Sequence, residues 1–136
     1  MKKLLIALVL ISAQLAAAAQ VKWNLDKAHS NFKFTVEHLV ISEVEGSFRS
    51  FNGNITSAKP DFTDAAIEFT VDVNSVDTEN ERRDGHLKGD DFFNAEKYPQ
   101  MKFKSTSFKK KSGNNYALTG NLTIRDVTKP VTFNVV

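Results

Sequence analysis

The chain has 136 residues, no cysteine, eleven phenylalanines, and 18 basic side chains against 16 acidic ones. Without thiols there can be no disulfide staple, cysteine nucleophile, c-type haem attachment or thiolate metal site, so stability must come from an apolar core. The near-balance of charge excludes a nucleic-acid footprint.

Met1 to Ala19 reads as a signal peptide. Lys2 and Lys3 form its basic start, Leu4 to Leu15 its apolar stretch, and Ala17, Ala18 and Ala19 its small-residue cleavage site. The run is shorter than the roughly 20 apolar residues that span a bilayer, and Ser12 and Gln14 interrupt it. Cleavage before Gln20 leaves residues 20–136 as one secreted domain, in a bacterium first of all a periplasmic one. Sixteen basic residues then face sixteen acidic ones. The one basic cluster, Lys109, Lys110 and Lys111 with Lys102 and Lys104, reads as an outward strand face and hairpin turn. At most it makes peripheral contact with membrane headgroups.

From Ser30 to His38 the chain alternates, with Phe32, Phe34, Val36 and His38 on one face. Val44, Gly46 and Phe48 share one parity and Phe51, Gly53 and Ile55 the other, which predicts a bulge near Arg49 and Ser50. Ile67, Phe69, Val71 and Val73 point inward next, then Met101 and Phe103. Ser112 to Asn115 has hairpin chemistry and leads into Tyr116, Leu118, Gly120, Leu122 and Ile124. Lys129 and Pro130 open a last strand carrying Val131, Phe133 and Val135.

Between Ser75 and Pro99 lies the one helical stretch of residues 20–136. Thr78 and Glu81 have capping-box spacing, so the helix is expected to start at Thr78. Gly85 and Gly89 favour an early stop, and Asp90 could cap a short second turn bearing Phe92 and Phe93. About six long strands with one apolar face predict an all-β fold, an antiparallel extended barrel with this helix over one open end. A β-sandwich has the same periodicity. The inward aromatics either fill the barrel solidly or line a tunnel for one small ligand.

Three histidines offer chemistry: His29, His38 and His86. None shows metal-ligand spacing with Asp84 or Glu37. His29 and Ser30 are strand neighbours facing opposite ways, poorly placed as base and nucleophile beside Asp26. An enzyme acting on a small lipid-like substrate would draw its acid-base groups from His38, Asp84 and His86. Arg83 and His86 can share a helix face, with Asp84 pointing elsewhere.

The words Trp23 to Ser30 (WNLDKAHS), Phe32-x-Phe34-x-Val36-x-His38-Leu39 and Gly46-Ser47-Phe48 resemble the YceI-like family of secreted polyisoprenoid-binding proteins. So do Arg83-Asp84-x-His86-Leu87, Asp90-Asp91-Phe92-Phe93, Tyr98-Pro99 and Leu122-Thr123-Ile124. The resemblance implies a lipocalin-like barrel with no covalent cofactor, binding a long-chain isoprenoid lipid or isoprenoid quinone. On that reading Phe32, Phe34, Val36, His38, Phe69, Val71, Phe92, Phe93, Met101, Phe103, Leu122 and Ile124 are the expected ligand-binding residues. Two departures stand out: Asp126 replaces the glycine that often precedes Val-Thr-Lys-Pro, and the sequence stops at Val136 where the family continues with further strands. A chain truncated there is expected to gape, to exchange strands in a homodimer, or to pair its open edge with a partner.

Overall fold

The alternating segments pair into two antiparallel sheets that face each other across phenyl rings. The computed structural model describes residues 19–38 and 42–136, and side chains for 19–37 and 43–136. Residues 1–18, where a signal peptide is expected, lie outside the described residues, as do residues 39–41 and the side chain of His38. In chain order the strands are β1 (Val21–Asn24), β2 (Phe32–His38), β3 (Ser42–Phe48), β4 (Phe51–Ser57), β5 (Ala66–Asp72) and β6 (Val76–Asp77). The helix α1 (Glu81–Lys88) follows, then β7 (Gln100–Ser112), β8 (Asn115–Ile124) and β9 (Val127–Val135). The larger sheet runs β1-β4-β5-β7-β8-β9 and the smaller β2-β3-β6.

The expected all-β, antiparallel architecture with one short helix is present, but with nine strands among the described residues where alternation predicts about six. β1 and β6 are too short to show a period. What looks like one bulged strand from Val44 to Ile55 is two strands in different sheets. Arg49 and Ser50 are a corner where the chain changes layer, and this reverses the parity without an extra residue. The corner is pinned from the segment after β5: Arg49 N–H donates to the Ser75 carbonyl (3.0 Å) and Ser50 N–H to Ser75 Oγ (2.9 Å). β1 and β9 are the two edges of the larger sheet, so the sheets do not close into a barrel.

Register fixes which residues share the inner face of the larger sheet, since directly paired residues project to the same side. The lower row is Phe51, Val71, Met101 and Ile124; the next is Gly53, Phe69, Phe103 and Leu122. Above them lie Trp23, Ile55 and Ile67, and across β7 and β8 Ser105, Gly120 and Val131. A bulge in β7 between Ser105 and Ser107 then turns Phe108 to the same side as Leu118 and Phe133.

The smaller sheet covers only the lower rows. Phe32 sits 5.6 Å from Phe69 and 6.0 Å from Phe51, ring centre to ring centre, and Phe34 packs on Phe48 at 5.4 Å. The deepest core is there: Phe48, Val71, Val73, Val76, Ala95 and Met101, with Leu87 and Phe93 packed against it from α1 and the loop that follows.

The helix begins later than its capping box suggests. Asn80 is the N-cap, its side-chain oxygen accepting from Arg83 N–H at 3.0 Å. Thr78 is buried and engaged elsewhere: its N–H and hydroxyl both donate to Asp84 Oδ1 (2.9 and 2.6 Å), and Arg83 Nε donates to its hydroxyl (2.7 Å). Asp84 therefore turns toward the same threonine as Arg83, against the expectation that it points away. Gly89 ends the helix, its N–H donating to the His86 carbonyl at 3.0 Å. A single hydrogen-bonded turn follows, Phe92 N–H to Gly89 O at 3.2 Å, and no second helix. The chain folds back on itself, with Phe93 N–H to Leu87 O (3.0 Å) and Ala95 N–H to Lys88 O (2.9 Å).

The final strand starts at Val127, ahead of Pro130, which an edge strand tolerates because its missing donor faces away from β8. In the preceding turn the left-handed residue is Arg125 (φ 57°), so Asp126 occupies a position that makes no demand for glycine. Arg125 Nη1 donates to the carbonyls of Asp90 (3.0 Å) and Phe92 (2.9 Å), and its guanidinium lies 5.6 Å from the Tyr98 ring centre.

Candidate functional site: an apolar cleft on the uncovered sheet

Where the smaller sheet stops, the inner face of β1, β4 and β5 is left open. A cleft of about 340 Å³ lies there, walled by Trp23, Leu25, Ile55, Ile67 and Phe69 over Gly53. Gly53 lets it deepen, since a glycine paired with Phe69 leaves a gap where another strand residue would put a side chain. Trp23 stays 39% exposed at its edge.

A loop from β4 to β5 roofs the upper side. Asp64 organises it, accepting from the buried Ser57 hydroxyl (2.5 Å) and from Ala58 N–H (2.9 Å). These bonds, the hydroxyl's first, hold the Asp64 carboxyl below the usual carboxylate range. The loop places Phe62 against Trp23, ring centres 4.9 Å apart, with Phe62 itself left-handed at φ 57°. At the lower end Asp26 turns onto His29 Nδ1 (2.8 Å) and Ala28 N–H (3.0 Å), and the histidine's bond chiefly depresses its pKa. Asp26 is thus the N-cap of an exposed 3-10 turn, Lys27–His29.

The twelve expected ligand-binding residues divide by depth. Val71, Met101 and Phe103 are fully buried. Phe32, Phe34, Phe69, Phe93, Leu122 and Ile124 are half-buried, and Val36 and Phe92 are exposed. His38 ends β2 opposite Ser42. Of the twelve, Phe69 alone lines the cleft, and it links the cleft to the rest through a stack on Phe103 (4.8 Å, 12°). Phe32 instead lines a polar recess with Lys27, Ser30, Arg49 and Ser50, so its ring stands between recess and cleft. Trp23, Leu25 and Ile55 were not among the expected residues. Ile55 carried an inward parity in the sequence, while Trp23 and Leu25 sit on and beside a strand too short to show one.

Asp84 and His86, two of the groups an enzyme would need, are engaged with different partners. Asp84 is bound to Thr78, while the exposed His86 ring packs edge-on to Phe92 (4.8 Å) with Nε2 3.6 Å from Asp91. Among the described residues no three His, Asp or Glu side chains converge as a metal site.

Comparison with known proteins fits this architecture. The YceI-like domain profile matches residues 23–136. The UPF0312 protein of Photorhabdus laumondii is 38% identical over 138 residues, covering 98% of this chain and 71% of that protein. Protein YceI of Escherichia coli is 40% identical over 136 residues, covering 97% and 71%. Other curated relatives extend further, this chain spanning as little as 64% of their length. Among solved structures, BcnA of Burkholderia cenocepacia superposes with a TM-score of 0.74 at 31% identity, over 81% of this chain and 69% of its own. A polyisoprenoid binding domain from Saccharophagus degradans shares the fold at TM-score 0.52 and 17% identity, over 88% and 63%. With the profile spanning Trp23 to Val136 and curated relatives near 40% identical over almost all of the sequence, the chain belongs to the YceI-like family.

Proposed function

We propose that the protein binds and carries, or sequesters, a long-chain isoprenoid lipid in the periplasm, reached through the signal segment Met1 to Ala19. The carrying observation is the cleft on the uncovered inner face, apolar on every wall that Trp23, Leu25, Ile55, Ile67 and Phe69 supply. Its volume sits near the lower end of the roughly 300–1,000 Å³ usual for small-molecule sites. The cleft takes one stretch of tail, and the rest lies along Val131 and Phe133 on the same face. Phe32, Phe34, Val36, His38, Phe92 and Phe93 flank that path from the smaller sheet and the helical end.

Burial supplies the affinity. Each methylene leaving water contributes on the order of 0.8 kcal/mol, offset by ordering of the tail until the yield falls toward ~0.3 kcal/mol per heavy atom. A tail of dozens of carbons still binds tightly on those terms. Specificity is loose, since apolar walls discriminate a single methylene only ~10- to 200-fold. Membership of the YceI-like family supports this reading, as does the fold shared with a domain described as polyisoprenoid binding.

The test is detergent-free purification from the native host, organic extraction and mass spectrometry. An isoprenoid lipid or quinone at near-stoichiometric amount is expected. Protein that emerges empty and takes up no such lipid from vesicles would sink the reading.

A further inference from the structure

The cleft lies beneath the β4–β5 loop, near one end of the larger sheet, and the register defines what else is at that end. The β4–β5 loop, the β7–β8 turn, the start of β1 and the end of β9 all lie at that end. It carries Lys22, Lys59, Lys109, Lys110 and Lys111, all exposed, and among the described residues none of the five is in an ion pair. Lys104, lower on β7, is by contrast matched to Glu68 at 3.0 Å. The two acids of the β4–β5 loop turn inward onto it: Asp64 binds Ser57 and Ala58, and Asp61 binds Thr63. The opposite end has the reverse balance, seven acidic against four basic residues between Asp77 and Lys97.

Apolar and aromatic groups accompany the lysines. Val21 is 52% exposed, Trp23 stands at the cleft mouth, and Tyr116 stacks on Phe108 (4.8 Å, 3°) directly across from Lys110. Cations at one end of a sheet with ring-bearing residues just behind them is the arrangement that suits an interface between water and lipid.

We propose that this end of the larger sheet docks on an anionic bilayer surface, with Lys109, Lys110 and Lys111 against the headgroups and the cleft close behind them under the β4–β5 loop. Charge complementarity selects the occupant: a zwitterionic surface offers the lysines nothing, and the acidic opposite end orients the molecule by being repelled. The proposal rests on the lipid-carrier reading for what the cleft does once docked, and not for the docking itself.

The test is co-sedimentation of the processed protein with large vesicles of phosphatidylcholine, with and without about 30 mol% phosphatidylglycerol. Binding is expected to the anionic vesicles alone and to vanish at about 0.5 M salt, where screening is nearly complete. A lysine near such a surface is worth roughly fivefold in partitioning, so Lys109→Glu, Lys110→Glu and Lys111→Glu together should weaken binding by about 100-fold or more. Arg82→Glu, Lys97→Glu and Lys129→Glu make the same change in net charge at the other end and should leave it intact. If the first triple variant is misfolded by circular dichroism, the three Lys→Gln changes serve instead, with a loss still expected. Equal binding to both vesicle types, equal loss in both variants, or capture by heparin without capture by vesicles would each overturn the proposal. With a polyisoprenoid added to the vesicles, docking without any uptake of it upholds the proposal and overturns the carrier reading; uptake without docking does the reverse.

Discussion

The ring of Phe103 occupies the space above Gly120 that a side chain would fill. A β-carbon there would overlap both the ring and the Lys104 carbonyl, and the carbonyl belongs to a strand that cannot retreat. Gly120→Ala is therefore expected to destabilise the fold by about 1–3 kcal/mol, the usual range for overpacking. Urea unfolding followed by circular dichroism measures it, and an unchanged midpoint would show that the β7–β8 pairing is looser than its register.

Gly53 makes the opposite case. A β-carbon at this position meets only ordinary contacts with Glu68 and Phe69, so Gly53→Val should fold normally while filling the cleft floor. Lipid binding is expected to fall at least tenfold with the unfolding midpoint unchanged or raised. Retained binding in this variant would place the ligand elsewhere on the sheet.

Trp23 is the sole tryptophan and stands at the cleft edge, so its emission reports on occupancy directly. Titration with an isoprenoid lipid is expected to shift it to the blue as the ring loses water. Trp23→Ala should weaken binding by roughly 10-fold, the worth of about 1.4 kcal/mol of lost apolar contact.

Arg125 combines a left-handed backbone with a side chain that ties the β8–β9 turn to the Asp90–Phe92 loop. Arg125→Gly removes the tie and eases the backbone; Arg125→Ala removes the tie and keeps the strain. Both should be less stable than the parent, with alanine worse than glycine by about 1 kcal/mol. Chemical denaturation of the pair decides it, and the reverse order would mean the turn is not held left-handed in solution.

Acid should loosen the loops before the sheets. Asp64 is held below its ordinary pKa chiefly by the Ser57 hydroxyl, Asp26 by His29, and Asp77 chiefly by Glu79 N–H with Arg49 next. A carboxyl with a lower pKa folded than unfolded contributes its stability in full above the unfolded value, near 3.9, and loses it as pH falls through the folded value. From these groups stability should be flat between pH 5 and 7, on the order of a carboxylate's usual working range, and should decline below about pH 4. Asp64→Asn should lower stability near neutrality and lessen that decline. Urea midpoints across pH would show it, and a decline of unaltered slope would exclude Asp64 as a contributor.

The sequence discloses the strands that obey a strict period and little of how they are layered. Phe69, Val71, Met101 and Phe103 declare their face because each is flanked by polar or charged side chains. The Arg49–Ser50 corner was visible only as a change of parity, which a bulge and a change of sheet produce alike. Phe108 was hidden for the opposite reason, since the irregularity beside Ser105 breaks the alternation that would have assigned it. Thr78 misled because a hydroxyl three residues before a glutamate matches a cap whether or not a better partner, here Asp84, stands within reach. The cleft was harder still. Its walls depend on where the smaller sheet ends, and no local pattern encodes where a neighbouring layer fails to cover.

β1 pairs with β4 and not with its neighbour in sequence, so β2 and β3 are an excursion made between two strands that lie side by side. For a chain delivered N-terminus first, Val21–Asn24 has no ladder to join until Asn54–Ser57 has also emerged. In the interval its tryptophan is an unguarded greasy segment, and whatever escorts the nascent polypeptide must shield it for more than thirty residues of travel, roughly two seconds or more at ordinary rates of synthesis.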